Sequence, residues 1–472
     1  MTARAMVWLP LVLALTGCAS VNLSAGFPDV SARIEERAAA RIAWNQGVEL
    51  DKEAAERLRS LLQQKLTADD AVQISLLNNR DLQAMYSDLG VAQADLVQAG
   101  LLRNPVLDAS VLFHLGPVRP DLQLGVVISL LDALYVPLRK RVFAAQFEET
   151  KLRITGAVLD FVLEVRHAFY AHQADEQLLE LRKTIVQALD ASFEASRRLH
   201  EAGNITDLDL ARDRAARERS RLALRSAEVS VRQSRERLNS LMGIFGRDTE
   251  WAIDERLPNP PAEGVPLAEA EREAVARSVD LGHARQRIVA AGQRLGYDRA
   301  TALIPSMEIG GSAEKESDEP WGIGPSVSVP IPIFDQGQAG VARATAELRR
   351  AQLEYHALAV RIRATSRALG ERVRGARDRA LYLRDIVLPL HERIVGEAQL
   401  QYNAMQIGIF DLLRERQQQI ETAVEYIEAL REYWISRADV LHLLSGRLPA
   451  ADASRPAGTN GKRSVKENGN GE

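Results

Sequence analysis

Eight histidines and one cysteine are the side chains of this sequence best suited to catalysis or metal binding, and their spacing supports neither role. No pair of histidines has the His-Glu-x-x-His spacing that sets two imidazoles on one helix face. His167 and His172 lie five apart, so on a helix they point different ways and suit packing or solvation better than a site. There is no Gly-x-Ser-x-Gly, no phosphate-cradling glycine loop and no cysteine cluster. The sequence therefore describes no enzyme: nothing in it could hydrolyse ATP or relay protons, and no cofactor or metal is implied. The remaining residues of interest are carboxylates placed where a long helix must reverse, Asp209 after Gly203 and Asp411 after Gln406. An aspartate at such a point caps the returning helix by accepting from its unpaired N–H groups.

The chain of 472 residues carries 60 Lys and Arg against 64 Asp and Glu, a balance that gives no footprint for nucleic acid. Aromatic residues make up only 5%, while Ala, Leu, Arg, Glu and Gln abound, the composition of long helices. At the N-terminus, Arg4 precedes an apolar run too short to span a bilayer as a helix, which reads as a secretory signal over residues 1–17. Leu15-Thr16-Gly17-Cys18 is similar to a bacterial lipobox, in which the cysteine is acylated and becomes the new N-terminus. With Cys18 as its single cysteine, the chain can form no internal disulfide. Ala19 after Cys18, rather than Asp, resembles the lipoprotein pattern sorted to the outer membrane. No later segment offers eighteen consecutive apolar residues, so a membrane crossing would have to use strands.

The elements that must position Asp209 and Asp411 are punctuated by proline. None occurs between Pro137 and Pro258, and after Pro332 only Pro389 interrupts until Pro449. These gaps read as very long helices, with narrow apolar stripes such as Phe161, Val165 and Phe169. The segment from Pro137 to Gly203 alone would measure about 90 Å at 1.5 Å per residue. The second half of the chain lies over the first in one register: Asp81-Leu82 over Asp280-Leu281, Gly125 over Gly324, Ser129 over Ser328 and Val142 over Val341. "LHEAGNITDLDLARDR" from Leu199 lies over "QYNAMQIGIFDLLRER" from Gln401. Each copy reads as helix, strand, loop, strand, long helix, break, long helix, over 66–246 and 266–446. Residues 18–65 and 247–265 form connecting segments, and 447–472 form a polar tail expected to be disordered.

Period-two alternation marks the strands. Leu122, Leu124, Val126, Ile128 and Leu130 share one face of the first, and Trp321, Ile323, Pro325, Val327 and Val329 share one face of the second. Their partners begin at Val106 and Ser306. Four strands, apolar on one face and small or polar on the other, match a transmembrane barrel, but bacterial barrels need about eight to close. One chain cannot close alone, whereas three copies would supply twelve strands.

This ensemble resembles the outer-membrane factor family, the TolC-like channels, through "LTADDAVQISLLNNRDLQA", "AQADLVQAGLLRNP", "VSVPIPIFDQGQAGV" and the two reversals. The resemblance covers Leu66 to Gly446. It implies an α+β membrane protein: a homotrimeric 12-strand outer-membrane β-barrel, with four strands per chain, continuous with a long 12-helix periplasmic α-barrel, each chain holding two internal repeats. It further implies an exit duct lipid-anchored through Cys18, a periplasmic adaptor and an inner-membrane pump of the RND type as partners, outer-membrane lipid around the barrel, and no nucleic acid. Pro137, Pro330, Pro332, Gly337 and Gly340 would mark strand-to-helix transitions. Asp209, Tyr402, Asp411 and Arg414 would form the periplasmic tips, with Tyr402 bonding a neighbouring coil, Asp209 as its acceptor, and Asp411 ringing the channel mouth. Arg414 departs from the second aspartate often found there and could pair with Asp411 at i, i+3, weakening a negative constriction. The first function implied is passive conduction of small toxic solutes such as drugs or metal ions. A type I secretion duct for proteins keeps the same fold. A periplasmic coiled-coil lipoprotein adaptor would need a single hairpin, against which the duplicated plan argues.

Overall fold

The structure, a computed structural model, describes residues 20–449 except 46–48, 114, 116–118, 262–263, 265–268, 303, 305 and 317–318. Cys18, the signal segment, the Gly116-Pro117 turn and the tail beyond 449 lie outside the described residues. In chain order the elements are α1 (Phe27–Ala38), α2 (Glu49–Leu62), β1 (Lys65–Leu66), α3 (Ala68–Asn78) and α4 (Arg80–Gly100). There follow β2 (Val106–Leu112), β3 (Asp121–Ser129), α5 (Leu130–Glu201), α6 (Asp207–Met242) and β4 (Ala252–Ile253). Then come α7 (Ala270–Ala276), α8 (Val279–Thr301), β5 (Glu308–Lys315), β6 (Gly322–Ser328), α9 (Gln338–Tyr382), α10 (Leu388–Asn403) and α11 (Ile409–Leu444). No described helix is long and apolar enough to cross a membrane.

β2, β3, β5 and β6 form one antiparallel sheet in that order, so β2 and β6 are its edges. The register turns four separate alternations into two continuous faces. Leu107, Val126, Gly311 and Pro325 lie in one row across the sheet, and Ile128, Ile309 and Val327 in another, all on the apolar face. The opposite face carries rows such as Asp108, Gly125, Ser312 and Gly324. Leu107, Val126, Ile323 and Val327 are exposed on the apolar face at 72, 44, 86 and 64%. Leaving such side chains in water forfeits about 1.5–3 kcal/mol each, so this face calls for an apolar surrounding.

α5 is a single helix of 72 residues, about 108 Å at 1.5 Å per residue. It starts at Leu130, directly after β3, and Pro137 lies inside it. The sequence-based placement of the transition at Pro137 is thus corrected to Ser129-Leu130. The helix tolerates the lost proline N–H because side chains brace its first turns. Arg139 bonds Asp132 at 2.7 Å and the carbonyls of Ala99 and Leu101, while the Tyr135 hydroxyl donates to the Ile304 carbonyl at 2.8 Å. The second handover follows β6. Pro330 and Pro332 occupy the non-regular stretch after β6, and Gly337 caps α9 at φ 75° with Ala302 pressed against it, but Gly340 is already helical. A Cβ on Gly337 would come within 2.7 Å of Ala302. Further on, Pro389 ends the continuity of the second long helix. A π-helical turn at Leu383–Val387 separates α9 from α10 and absorbs the proline's missing bond.

The core sits midway along the long helices, where α5 packs against α3, α4, α8 and α11. Ile154, Leu159, Tyr86 and Met242 anchor one cluster and Ile362, Leu430 and Tyr433 another, joined by Tyr170 stacked 5.2 Å from Trp434. His172 is fully buried beside Ser234 and Trp251, and burial, aided by the Arg235 charge, lowers its pKa to about 4. A packing imidazole, and not a ligand, fits that environment. The tail does not begin at 447 as expected from composition. Arg447 is held by Asp160 at 2.7 Å and by Asp280, and Leu448 is buried with its N–H on Asp280. Polar composition misled because charged residues that pair in a crevice read the same as solvated ones.

Candidate functional site at the helix tips

The long helices reverse at two points far from the core, 202–206 and 404–408. At the first, Gly203 takes a left-handed conformation, φ 77°, and the N–H groups of Gly203 and Asn204 return to the carbonyls of His200 and Leu199. At the second, Met405 and Gln406 bond the carbonyls of Tyr402 and Gln401 in the same pattern, each at 2.9 Å, with Met405 at φ 57°. Aligning Leu199 with Gln401 therefore sets Gly203 on Met405, Thr206 on Gly408, Asp209 on Asp411 and Arg212 on Arg414.

Asp209 closes a capping box: its backbone N–H donates to the Thr206 hydroxyl at 3.2 Å, and its carboxylate accepts from that hydroxyl at 2.8 Å. Asp411 sits one turn into α11 in the same register, but Gly408 offers no side chain and the cap is absent. Each aspartate faces an arginine at i+3, Asp209 to Arg212 and Asp411 to Arg414, both at 3.5 Å. The Asp411–Arg414 pair is thus present, so the carboxylate at this tip is partly compensated. The Tyr402 hydroxyl makes no hydrogen bond within the chain among the described residues, and the Asp209 carboxylate is taken up by Thr206 and Arg212. A single chain does not bring Tyr402 and Asp209 together.

Three features escaped the sequence. His200 reaches across the first turn to Asp207 at 2.7 Å, a contact without a counterpart at the second tip, where Tyr402 and Ile409 stand. Met405 adopts a conformation usually left to glycine, visible only by aligning it with Gly203. Asp213, one turn beyond the cap, is buried against the Ser196 hydroxyl. Burial, with a smaller contribution from the Asp209 charge, raises its pKa above the usual carboxylate range. Among the described residues no group of His, Cys, Asp and Glu could hold a metal ion.

Residues 71–244 match the family model described as outer membrane efflux protein. That segment is thus similar to the outer membrane efflux proteins. The chain is 23% identical over 395 residues to the cobalt-zinc-cadmium resistance protein CzcC of Cupriavidus metallidurans, covering 80% of the chain and 90% of CzcC. It is 27% identical over 296 residues to the toluene efflux pump outer membrane protein TtgC of Pseudomonas putida, over 56% of the chain and 59% of TtgC. Among solved structures, the Campylobacter jejuni CmeC outer membrane channel superposes with a TM-score of 0.64 at 16% identity, over 87% of this chain and 91% of CmeC. The outer-membrane channel OprN gives 0.63 at 18% identity, over 91 and 97%. The fold is therefore shared with solved outer-membrane channels.

Proposed function

We propose that three copies of this chain form the exit duct of a tripartite efflux system whose cargo is toxic metal ions. The observation that carries the duct is the sheet. One face is apolar and exposed across all four strands, its edges β2 and β6 are unpaired within the chain, and two of its strands lead into helices. An open edge in lipid costs several kcal/mol for each unsatisfied backbone group. Pairing β2 of one copy with β6 of the next closes twelve strands and leaves the apolar face to lipid and the Gly, Ser and Asp face to a lumen. The twelve-helix tunnel, the two internal repeats and a lipid on Cys18 complete this reading. A periplasmic adaptor and an RND-type inner-membrane pump, as partners, supply contact at the tips and energy. The choice of metal ions rests on the relative matched over most of its length, CzcC, a cobalt-zinc-cadmium resistance protein; the toluene pump component TtgC aligns over a shorter part of the chain.

A deletion strain tests the cargo. Loss of tolerance to cobalt, zinc or cadmium, restored by the intact gene, is expected. Unchanged metal tolerance with hypersensitivity to antibiotics or toluene would transfer the protein to drug or solvent efflux, and a missing secreted protein would transfer it to secretion. The mass in mild detergent tests the assembly: a species of three chains is expected, and a stable monomer without detergent would overturn the barrel.

A further inference from the structure

Near the tips the two helical hairpins do not close on each other. α6 packs on α5 and α11 packs on α10, yet α6 and α11 share little packing among the described residues. The gap is a cleft in two lobes. The lower, of about 1330 Å³, runs from the reversals past Phe193, Leu413 and Ile420; the upper, of about 450 Å³, ends near Val424 and Glu428. Arg182 of α5 and Arg219 of α6 line both lobes, so they stand where the two meet. Neither guanidinium makes an ion pair among the described residues, unlike Arg212 and Arg414 nearby. The lower walls are largely Leu, Ile, Phe and Ala, and its volume suits a drug-sized molecule.

We infer that this cleft binds amphiphilic anions, with the acidic head between Arg182 and Arg219 and the apolar body along Phe193, Leu413 and Ile420. The planar forks of two unpaired guanidiniums match a carboxylate, sulfate or phosphate. The cleft also holds five carboxylates. Burial raises the pKa of Asp175 and Asp213, and Glu392, Glu421 and Glu428 share the lining with Arg212, Arg414 and Arg416 beside the two unpaired guanidiniums. Because the site lies within one chain, it stands or falls independently of the metal-efflux reading.

Hydrogen exchange of the full-length protein in lipid nanodiscs tests the site with three sub-micellar probes: decyl sulfate, decyltrimethylammonium and decyl maltoside. Decyl sulfate is expected to protect 212–223 and 409–421, and the cationic and neutral probes are not. The Arg182→Gln/Arg219→Gln pair removes no internal ion pair and should fold; it is expected to weaken the decyl sulfate effect at least tenfold. Leu413→Trp, which fills the lower lobe and keeps both arginines, is expected to block it as well. Equal protection by decyltrimethylammonium, or undiminished binding by the double arginine variant, would overturn the assignment.

Discussion

The turns at 202–206 and 404–408 trace the same backbone hydrogen bonds with different residues. The first places glycine at the left-handed position, threonine at the helix start and a His200–Asp207 contact across the reversal. The second places Met405 at the left-handed position, 93% exposed, and glycine at the helix start, with no side-chain cap. A left-handed L-residue costs roughly 1–2 kcal/mol, and glycine in place of a capping side chain about a few tenths of a kcal/mol. One tip is therefore firm by construction, whereas the other is held in place against its own local preferences. Backbone strain of this kind persists where surrounding structure imposes it and concentrates at sites that move. The softer tip carries Asp411, which the family resemblance sets around the channel mouth, and Tyr402, which it bonds to a neighbouring coil.

The largest effect should come from exchanging the left-handed residues. Gly203→Val puts a β-branched side chain at φ 77° and is expected to cost the first tip about 2 kcal/mol of local opening free energy. Met405→Gly is expected to firm the second by roughly 0.5–1 kcal/mol, reduced from the full strain because glycine also loosens the unfolded chain. Amide exchange at 203–210 and 405–412 reads both, and equal responses at the two tips would erase the asymmetry. Next in size, Thr206→Ala should lower protection at 207–210 by about 1 kcal/mol. Gly408→Ser should raise it at 409–412 by a few tenths, since the space toward Asp411 is open. A loss at Gly408→Ser would mean that the second tip needs its glycine for shape.

This contrast was only partly legible in the sequence. The reversals and the strands could be read because each rests on a local rule: proline excluded from helix interiors, alternation along strands, glycine and aspartate at turns. Pro137 defeated that rule, since contacts from Arg139 and Tyr135, distant in sequence from what they hold, let α5 run through it. Arg447 escaped for a similar reason. Its partners Asp160 and Asp280 lie 287 and 167 residues away, and nothing local separates a buried cation from a solvated one. At the tips the two aspartates looked alike; what distinguishes them is Thr206 against Gly408, three residues upstream.

Asp213 offers a pH-dependent difference between the tips, because its aligned counterpart, Glu415, is not among the buried residues. A carboxyl whose folded pKa is raised favours the folded tip while protonated, and that contribution is lost as pH rises through the folded value. The first tip should thus gain protection as pH falls through the raised range, and the second should not. Asp213→Asn keeps a bond to Ser196 without a buried charge, so it should give a gain smaller than the cap effect, confined to pH above the usual aspartate range. A wild-type first tip indifferent to pH would place the Asp213 carboxyl in contact with water.

The smallest effect concerns the paired ions, and it bears on what the tips share. Asp209–Arg212 and Asp411–Arg414 have the same spacing and the same 3.5 Å separation, but the second pair is the more exposed. Surface pairs at i, i+3 contribute only about 0.2–0.5 kcal/mol and are screened by salt. Arg212→Gln and Arg414→Gln should each lower tip protection by that amount at low salt and by almost nothing at high salt. Their effect on ion flow should differ far more than their effect on stability. Removing Arg414 uncovers Asp411, which in a trimer presents three negative charges around one axis, and a shift of conductance toward cations is expected in planar bilayers. Arg212→Gln leaves Asp209 bound to Thr206 inside its capping box, so its selectivity should stay near that of the wild type. If both variants shift selectivity equally, both tips face the pore and the distinction between a capping and a gating aspartate fails.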